Sequence, residues 1–279
     1  MEQSIRSVWS AALQTATLLG LPVILKPNST LNEKFNINAN IALGEDERPA
    51  MQYVTIGNGG HKMVVGADNI PKPEPVQHTP RHAALYNHLP FVLRLPSNDL
   101  TVAERANYRL RRLETHDGTT YVAYYAKLLD LSTTATQLEL RNVTDGIVTS
   151  TIFEPTAADL SPVPPAINSG GVITTSGDYI AATAKVPFVM STTDIEEFLN
   201  VCNIIYGDVN YAMISEIGLC SGVDRVVTGD FNGISLGYTD AIGMQICSFV
   251  NSFFALNFTN GSISALMDVG SLESLLTLS

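Results

Sequence analysis

Residues 44–100 place the strongest constraint on how this chain can fold. They combine Pro, Gly and His with many large apolar side chains, yet no helical or strand period runs through them. Structureless segments of this length are uncommon inside compact domains and are usually functional. The apolar content excludes a disordered linker. We therefore expect an extended arm that is ordered by lying on its own domain or on a neighbouring subunit.

The rest of the pattern predicts an α+β fold with a mostly antiparallel, β-rich core, three to four short helices and the long extended arm. Four segments follow from it: an N-terminal helix and extended lead (1–43), the extended arm (44–100), a helix plus β-sheet lobe (101–160) and a second α+β lobe (161–279). The Pro-rich stretch 154–171 is the best candidate boundary between the two lobes.

Helices are predicted where apolar residues recur at helical spacing behind capping residues, at 2–19, 102–114, 193–206 and 240–255. Thr101 with Glu104, and Thr193 with Glu196, have capping-box spacing. Strands are predicted at 119–131, 137–141, 146–153, 172–180, 209–219 and 224–228, with a turn at Ser221–Gly222.

Charge and cysteine usage narrow the class of protein. The net charge is −11, and residues 1–127 carry 13 basic and 11 acidic side chains against 3 and 16 in residues 128–279. The acidic second half argues against binding of nucleic acid or an anionic membrane there. Cys202, Cys220 and Cys247 are expected to be buried thiols. Without a signal peptide or a spanning segment, we expect a soluble protein made in a reducing cytoplasm.

Two motifs in the arm resemble ligand sites, but a structural role in hydrogen bonding or in a turn explains each of them better. His78, His82 and His88 suggest a metal site, yet Pro80 disfavours a helix at Thr79, so the HExxH geometry is missing. We expect these histidines to be hydrogen-bonded within an arm or interface. Gly57–Gly60 resembles a phosphate loop without the following lysine or helix, so a turn requiring positive φ is favoured.

An arginine cluster and a few carboxylates leave two alternatives open. Arg105, Arg109, Arg111 and Arg112 could bind nucleic acid, although a solvated helix face, or one paired with carboxylates of a neighbour, suits an acidic chain better. A hydrolase that uses Glu216 and Asp224 is the second alternative. No nucleophile elbow or paired-carboxylate motif is present, so we expect a protein that is not an enzyme.

Several segments resemble structural proteins of tailed bacteriophage virions. The block His82–Leu131 carries most of the resemblance, with YVTIGNGGHKMVVG and PKPEPVQH before it. Farther on, Ile214–Arg225 (ISEIGLCSGVDR) is similar to strands that recur in tail and baseplate proteins. Together these blocks cover about half of the chain.

The resemblance implies a non-enzymatic virion subunit, made in the host cytoplasm, that lies in the tail baseplate as a wedge-type protein. A neck or collar subunit that joins head to tail is the alternative. Its partners would be other copies of itself and neighbouring virion proteins, with no nucleic acid, membrane, small-molecule substrate, metal or cofactor. Apolar and arginine anchors dominate such interfaces. The interface candidates are Tyr86, Leu89, Phe91, Leu93, Arg105, Arg109 and Arg112.

Overall fold

The structure is a computed structural model that describes residues 3–67, 69–145, 147–163, 173–231, 233–256 and 261–278. The chain forms two compact units. The first comprises Met1–Asp130 and Phe188–Ala265, and the second comprises Leu131–Pro187 and Leu266–Ser279. The stretch 154–171 lies within the second unit, and its residues 164–171 fall outside the described ranges.

Strands dominate both units, which confirms the predicted β-rich, antiparallel α+β class. The described helices are α1 (Val8–Leu18), α2 (Leu31–Phe35), α3 (Val102–Arg105), α4 (Ala157–Leu160) and α5 (Thr192–Tyr206). The described strands are β1 (Gln3–Arg6), β2 (Ala50–Gly57), β3 (His61–Val65), β4 (Pro71–Pro75), β5 (His88–Leu89), β6 (Val92–Arg94), β7 (Tyr108–His116), β8 (Thr119–Leu128), β9 (Thr136–Thr144), β10 (Ile147–Ile152), β11 (Ile173–Met190), β12 (Met213–Phe231), β13 (Ile234–Ala255) and β14 (Ile263–Leu278).

An eight-stranded sheet organises the first unit. Its main path is β1-β13-β12-β2-β8-β6, while β5 pairs with β2 and β7 pairs with β8. Residues 214–222 of β12 and 240–251 of β13 are buried at every position, so both faces of this long hairpin are covered there. Tyr53, Leu93, Leu110 and Phe249 belong to the core cluster. The three cysteines are buried free thiols, as predicted.

Helix α5 begins and ends at residues suited to those positions. The backbone N–H of Asp194 donates to the Ser191 hydroxyl at 3.2 Å, and the Asp194 carboxylate accepts from the Ser191 N–H at 2.8 Å. Gly207, with φ of 74°, ends the helix. The predicted helix is confirmed, with its capping box two residues earlier than Thr193–Glu196. Its apolar face buries Ile195, Phe198, Leu199 and Cys202.

The second unit contains a four-stranded sheet in the order β10-β9-β11-β14. β9 and β10 form an antiparallel hairpin that runs from Ile147 opposite Thr144 to Ile152 opposite Glu139. β11 pairs with the other side of β9, with Ile180 opposite Leu140. Neighbours across antiparallel strands share a face, so Leu138, Leu140 and Ile147 lie on the same face of this sheet.

Two of the predicted helices are wrong. The first was predicted at 102–114, but α3 ends at Arg105 and residues 108–116 are β7, which turns into β8 through Asp117 and Gly118 at positive φ. The second, at 240–255, is part of β13. Both segments have apolar spacings that fit either period, and pairing with neighbouring strands decided the outcome. The predicted turn at Ser221–Gly222 is a register shift inside β12, which continues to Phe231.

Residues 44–100 are more regular than predicted. β2 lies between β12 and β8 in the sheet, so the absence of a strand period was a wrong interpretation for residues 50–57. The two-stranded hairpin of β3 and β4 makes a separate small sheet. None of the described helices is long and apolar enough to cross a membrane.

Candidate functional site

A buried carboxylate, Glu216 of β12, fastens the loops of residues 58–60 and 76–87 to the sheet. Its side chain is fully buried. Oε1 accepts from the backbone N–H groups of Gly59 at 2.9 Å and Asn87 at 2.8 Å. Oε2 accepts from the Tyr86 N–H and from His78 Nε2, both at 2.9 Å. We call these five residues the Glu216 cluster. Each carboxylate oxygen accepts two hydrogen bonds from this chain, so the carboxylate has a structural role.

The three histidines considered as metal ligands are held by the protein itself. His78 is stacked between Tyr86 and Phe249, with ring centroids 4.3 and 4.1 Å away, and its Nδ1 lies 3.1 Å from His82 Nδ1. His88 Nε2 accepts from the Leu85 N–H at 2.9 Å, and burial lowers the pKa of His88 well below its usual value. The described residues contain no group of three or more His, Cys, Asp or Glu side chains placed to hold a metal ion.

In the segment Gly57–Gly60, which resembles a phosphate loop, glycine is required because other backbone segments pass very close to it, not because φ is positive. None of Gly57, Gly59 and Gly60 has a positive φ, so that part of the prediction is wrong. A Cβ on Gly57 would lie 2.3 Å from the Asn87 carbonyl oxygen, and one on Gly60 would lie 2.3 Å from the Ser215 carbonyl oxygen. Only glycine lets these backbones come so near to each other.

The arginine cluster forms ion pairs within the first unit. Arg109 binds Asp224 through two hydrogen bonds of 2.8 and 2.7 Å, in the bidentate geometry that arginine favours. Arg111 lies 3.0 Å from Asp99. The remaining two also face carboxylates of the chain, Arg105 with Asp99 at 3.9 Å and Arg112 with Glu114 at 3.3 Å. Arg105 and Arg111 in addition cover the ring of Phe231 at 4.2 and 3.9 Å.

These pairs change the interpretation of the arginines. Arg109 and Arg111 are only 4% and 8% exposed, and they lie on β7 rather than on the predicted helix. The carboxylates that they bind belong to this chain, not to a neighbour. Because Arg109 and Arg111 are buried and paired with carboxylates, they give no support to the nucleic-acid alternative.

The hydrolase alternative also loses its proposed residues. Glu216 is inaccessible to a polymer substrate inside its cluster. Asp224 is bound by Arg109 and by the Tyr53 hydroxyl at 2.7 Å. Burial raises the pKa of Asp224, but the hydrogen bonds from Arg109 and Tyr53 outweigh it and leave the pKa below its usual value. A carboxylate fixed in this way is a poor general acid.

Asp240 is a buried carboxylate whose importance the sequence did not reveal. Its Oδ1 accepts from the N–H groups of Leu110 at 2.6 Å and Ala241 at 2.9 Å, and its Oδ2 accepts from Asn38 at 2.9 Å. Leu110 has φ of 55°, an uncommon conformation for a bulky residue, and Asp240 holds it there. Burial raises the pKa of Asp240 to about 6, against the opposing effect of these donors.

Of the four apolar anchor candidates, only Tyr86 is exposed. Leu89, Phe91 and Leu93 are at most 2% exposed and lie in the core of the chain itself. They are therefore unavailable to a neighbouring subunit. Tyr86 keeps 45% of its surface exposed while its hydroxyl donates to the Gln77 carbonyl at 2.8 Å.

Two other surfaces are among those that carry exposed apolar side chains. On the hairpin of β3 and β4, Met63 and Val65 are 56% and 60% exposed. In the second unit, all six residues of β10 are exposed, including Ile147 at 67% and Ile152 at 71%. Neither surface was distinguished by the sequence, since short Val, Ile and Thr runs are equally typical of buried strands.

Comparison with known proteins identifies a family for this chain, and the description of that family gives no activity. No curated protein matches the chain, and no solved structure matches it. One family model covers residues 1–279, from end to end of the sequence. The chain belongs to the Family of unknown function (DUF7208).

Proposed function

We propose that this chain is a non-enzymatic structural subunit of a tailed-phage virion, placed in the tail baseplate, that assembles through the sheet of its second unit. The observation that carries the proposal is β10, a fully exposed, uncharged edge strand beside an exposed apolar sheet face. The placement in a phage particle is supported by the resemblance of residues 82–131 and 214–225 to virion proteins.

The exposed face of the second unit supports a role in assembly. Leu138, Leu140 and Ile147 share this face and are 39%, 38% and 67% exposed in the whole chain. A sheet is stable when an apolar face is covered by a second layer. Contiguous exposed apolar residues mark interaction surfaces more often than isolated ones do. A neighbouring subunit would supply the missing layer.

The edge of the same sheet offers backbone hydrogen bonds. Among the described residues, β10 pairs only with β9. In natural proteins, charged residues, prolines or bulges on an edge strand prevent unwanted pairing with other strands. The sequence of β10, IVTSTI, has no charged residue and no proline. A strand from a neighbouring copy can extend the sheet here by β-augmentation.

The hairpin of β3 and β4 lies within the predicted extended arm, residues 44–100, and forms a separate two-stranded sheet. Pro71, Pro73 and Pro75 alternate along β4, so three of its five residues have no N–H to donate. This hairpin cannot add a regular strand through β4. We assign it a contact made by side chains, with Met63 and Val65 as its exposed apolar residues.

Self-association of the purified chain tests the assembly surface. Sedimentation velocity should show concentration-dependent oligomers for the wild type, and Val148→Lys on β10 should weaken association by at least about tenfold, because lysine on an edge blocks strand pairing. Val226→Lys is the matched control, since Val226 is 78% exposed on a strand of the first unit and lies opposite the polar Thr239. Equal association of all three proteins would overturn the proposed surface.

Electron microscopy of particles labelled with an antibody to the chain tests the placement. Label at the baseplate supports the proposal. Label at the junction of head and tail would reassign the subunit to the neck, and particles without the chain would remove the virion role altogether.

A further inference from the structure

A small cavity lies in the first unit between the hairpin of β3 and β4 and the end of β13. Its volume is about 350 Å³, and its walls include His61, Pro73, Pro75, Asn251 and Phe253. This volume is at the lower end of the range for ligand pockets, roughly 300–1,000 Å³. It suits one side chain or a ligand of similar size.

Asn251 is one of the residues that line this cavity, and its side chain has an unused acceptor. The residue is only 3% exposed. Its Nδ2 donates to the Gly60 carbonyl at 3.3 Å and to the Val76 carbonyl. These two acceptors fix the orientation of the amide, because a flipped amide would set its oxygen against two carbonyls. The Oδ1 atom is buried, and no described residue donates to it.

His61 contributes a second unpaired atom. Among the described residues, His61 Nδ1 and Asn251 Oδ1 are the two buried side-chain polar atoms that lack a hydrogen-bond partner, and both residues line the same cavity. The His61 ring lies edge-on to Phe253, with centroids 5.3 Å apart. A buried polar atom without a hydrogen-bond partner destabilises the folded state. Two such atoms on residues that line one cavity are the observation from which we argue for a ligand.

The lining restricts the chemistry of that ligand. Asn251 Oδ1 can only accept, and His61 Nδ1 accepts in the tautomer that carries its proton on Nε2. The apolar walls are Pro73, Pro75 and Phe253, and Phe253 is 47% exposed. Glu74 also lines the cavity, and its 3.8 Å pair with Lys62 is exposed and therefore weak. The ligand should be flat, rich in N–H donors, positively charged and compatible with an aromatic ring.

We infer that this cavity binds the guanidinium group of an arginine side chain carried by a partner protein. Arginine brings five N–H donors in one plane, stacks on aromatic rings and lays its methylene stem along apolar walls. The chain itself has a net charge of −11, which attracts a basic partner. This inference does not depend on self-association through β10, because the cavity lies within a single chain.

Titration of the full-length chain with N-acetyl-L-arginine amide tests the inference. Amide shifts of residues that line the cavity, such as Gly60 and Ser252, should move to saturation with a Kd of roughly 1 mM, as expected for so small a ligand. His61→Phe keeps the ring against Phe253 but removes the acceptor, and should weaken binding about tenfold. His116→Phe, a histidine replacement elsewhere, and Glu45→Gln, an exposed charge change, are controls that should bind as the wild type does.

Four further measurements test the proposed chemistry of the ligand. Glu74→Gln should weaken binding about twofold to threefold, as expected for an exposed charge. N-acetyl-L-citrulline amide, which keeps the shape without the charge, and N-acetyl-L-tyrosine amide should both bind more weakly than the arginine probe. Agmatine carries the same guanidinium group and methylene stem and should bind about as tightly as the arginine probe.

The inference is overturned by any of three results. These are shifts that do not saturate, equal binding by His61→Phe and the wild type, or binding of the tyrosine or citrulline probe as tight as that of arginine. Because the readout is made on single chains, a failure here leaves the assembly proposal standing, and loss of self-association would leave this inference standing.

Discussion

Replacing Glu216 with glutamine tests whether the Glu216 cluster holds the first unit together. The carboxylate accepts four hydrogen bonds, two at each oxygen, from three backbone N–H groups and His78. Glutamine keeps one acceptor oxygen, so two donors lose their partner and face an NH₂ group. Hydrogen bonds to a charged acceptor contribute about 1.5–3 kcal/mol each. We therefore expect Glu216→Gln to lower the free energy of unfolding by about 3–5 kcal/mol.

Urea unfolding followed by tryptophan fluorescence measures this loss. Trp9 is the only tryptophan of the chain, and it lies in the first unit with its indole N–H donating to the His82 carbonyl at 3.0 Å. Its signal therefore reports the unit that contains Glu216. A total stability of roughly 5–15 kcal/mol is usual for a domain, so the expected loss should move the midpoint clearly.

Glu196→Gln is the matched control. Glu196 is exposed on α5, and this replacement should change stability by less than about 0.5 kcal/mol. Hydrogen exchange at the Tyr86 and Asn87 amides gives a local readout, because both donate to Glu216. An unfolding midpoint within error of the control, together with unchanged exchange at these two amides, would refute the assigned role.

Three further predictions concern the first unit. The pKa of Asp240 is raised from 3.8 to about 6. Between pH 4 and pH 6 the folded state therefore binds more protons than the unfolded state, and the free energy of unfolding falls as the pH rises. In urea unfolding at pH 4 and pH 6, Asp240→Asn should reduce this pH-dependent loss of stability by about 1–3 kcal/mol. Arg109→Lys cannot reproduce the two hydrogen bonds to Asp224 and should lower the free energy of unfolding by about 1–3 kcal/mol without changing sedimentation. Altered association with unchanged stability would instead support a role for Arg109 at an interface between subunits. Gly60→Ala places a Cβ 2.3 Å from the Ser215 carbonyl and should destabilise by about 2 kcal/mol or more, while an unchanged melting temperature would contradict the close approach.

Much of the local structure could be predicted from the sequence. β8 (Thr119–Leu128) matches the strand predicted at 119–131. Helix α5 was predicted because apolar positions, a capping residue and a terminal glycine agree with one another. β9 and β10 were also predicted, because Thr and β-branched residues are frequent in strands.

The candidate sites were much less predictable. Leu89, Phe91 and Leu93 have the composition of interface anchors, but the same composition is typical of a core, and the structure buries them. The arginines of β7 were assigned to a helix face because α3 does begin with a capping box. The carboxylates that bind them, Asp99 and Asp224, lie at different distances along the chain, and no local pattern connects them.

The sequence by itself determined the β-rich class, helix α5 and the buried state of the cysteines, because these depend on residue type and on near neighbours. Only the tertiary structure decided that residues 240–255 form a strand, that Glu216 receives four donors from distant loops, and that Asn251 and His61 leave unpaired atoms at one cavity. The strand depends on pairing with β12 and β1. The Glu216 donors and the two cavity residues are brought together from positions more than a hundred residues apart in the chain. The free energy of such contacts comes from burial and pairing in three dimensions, which local spacing does not encode.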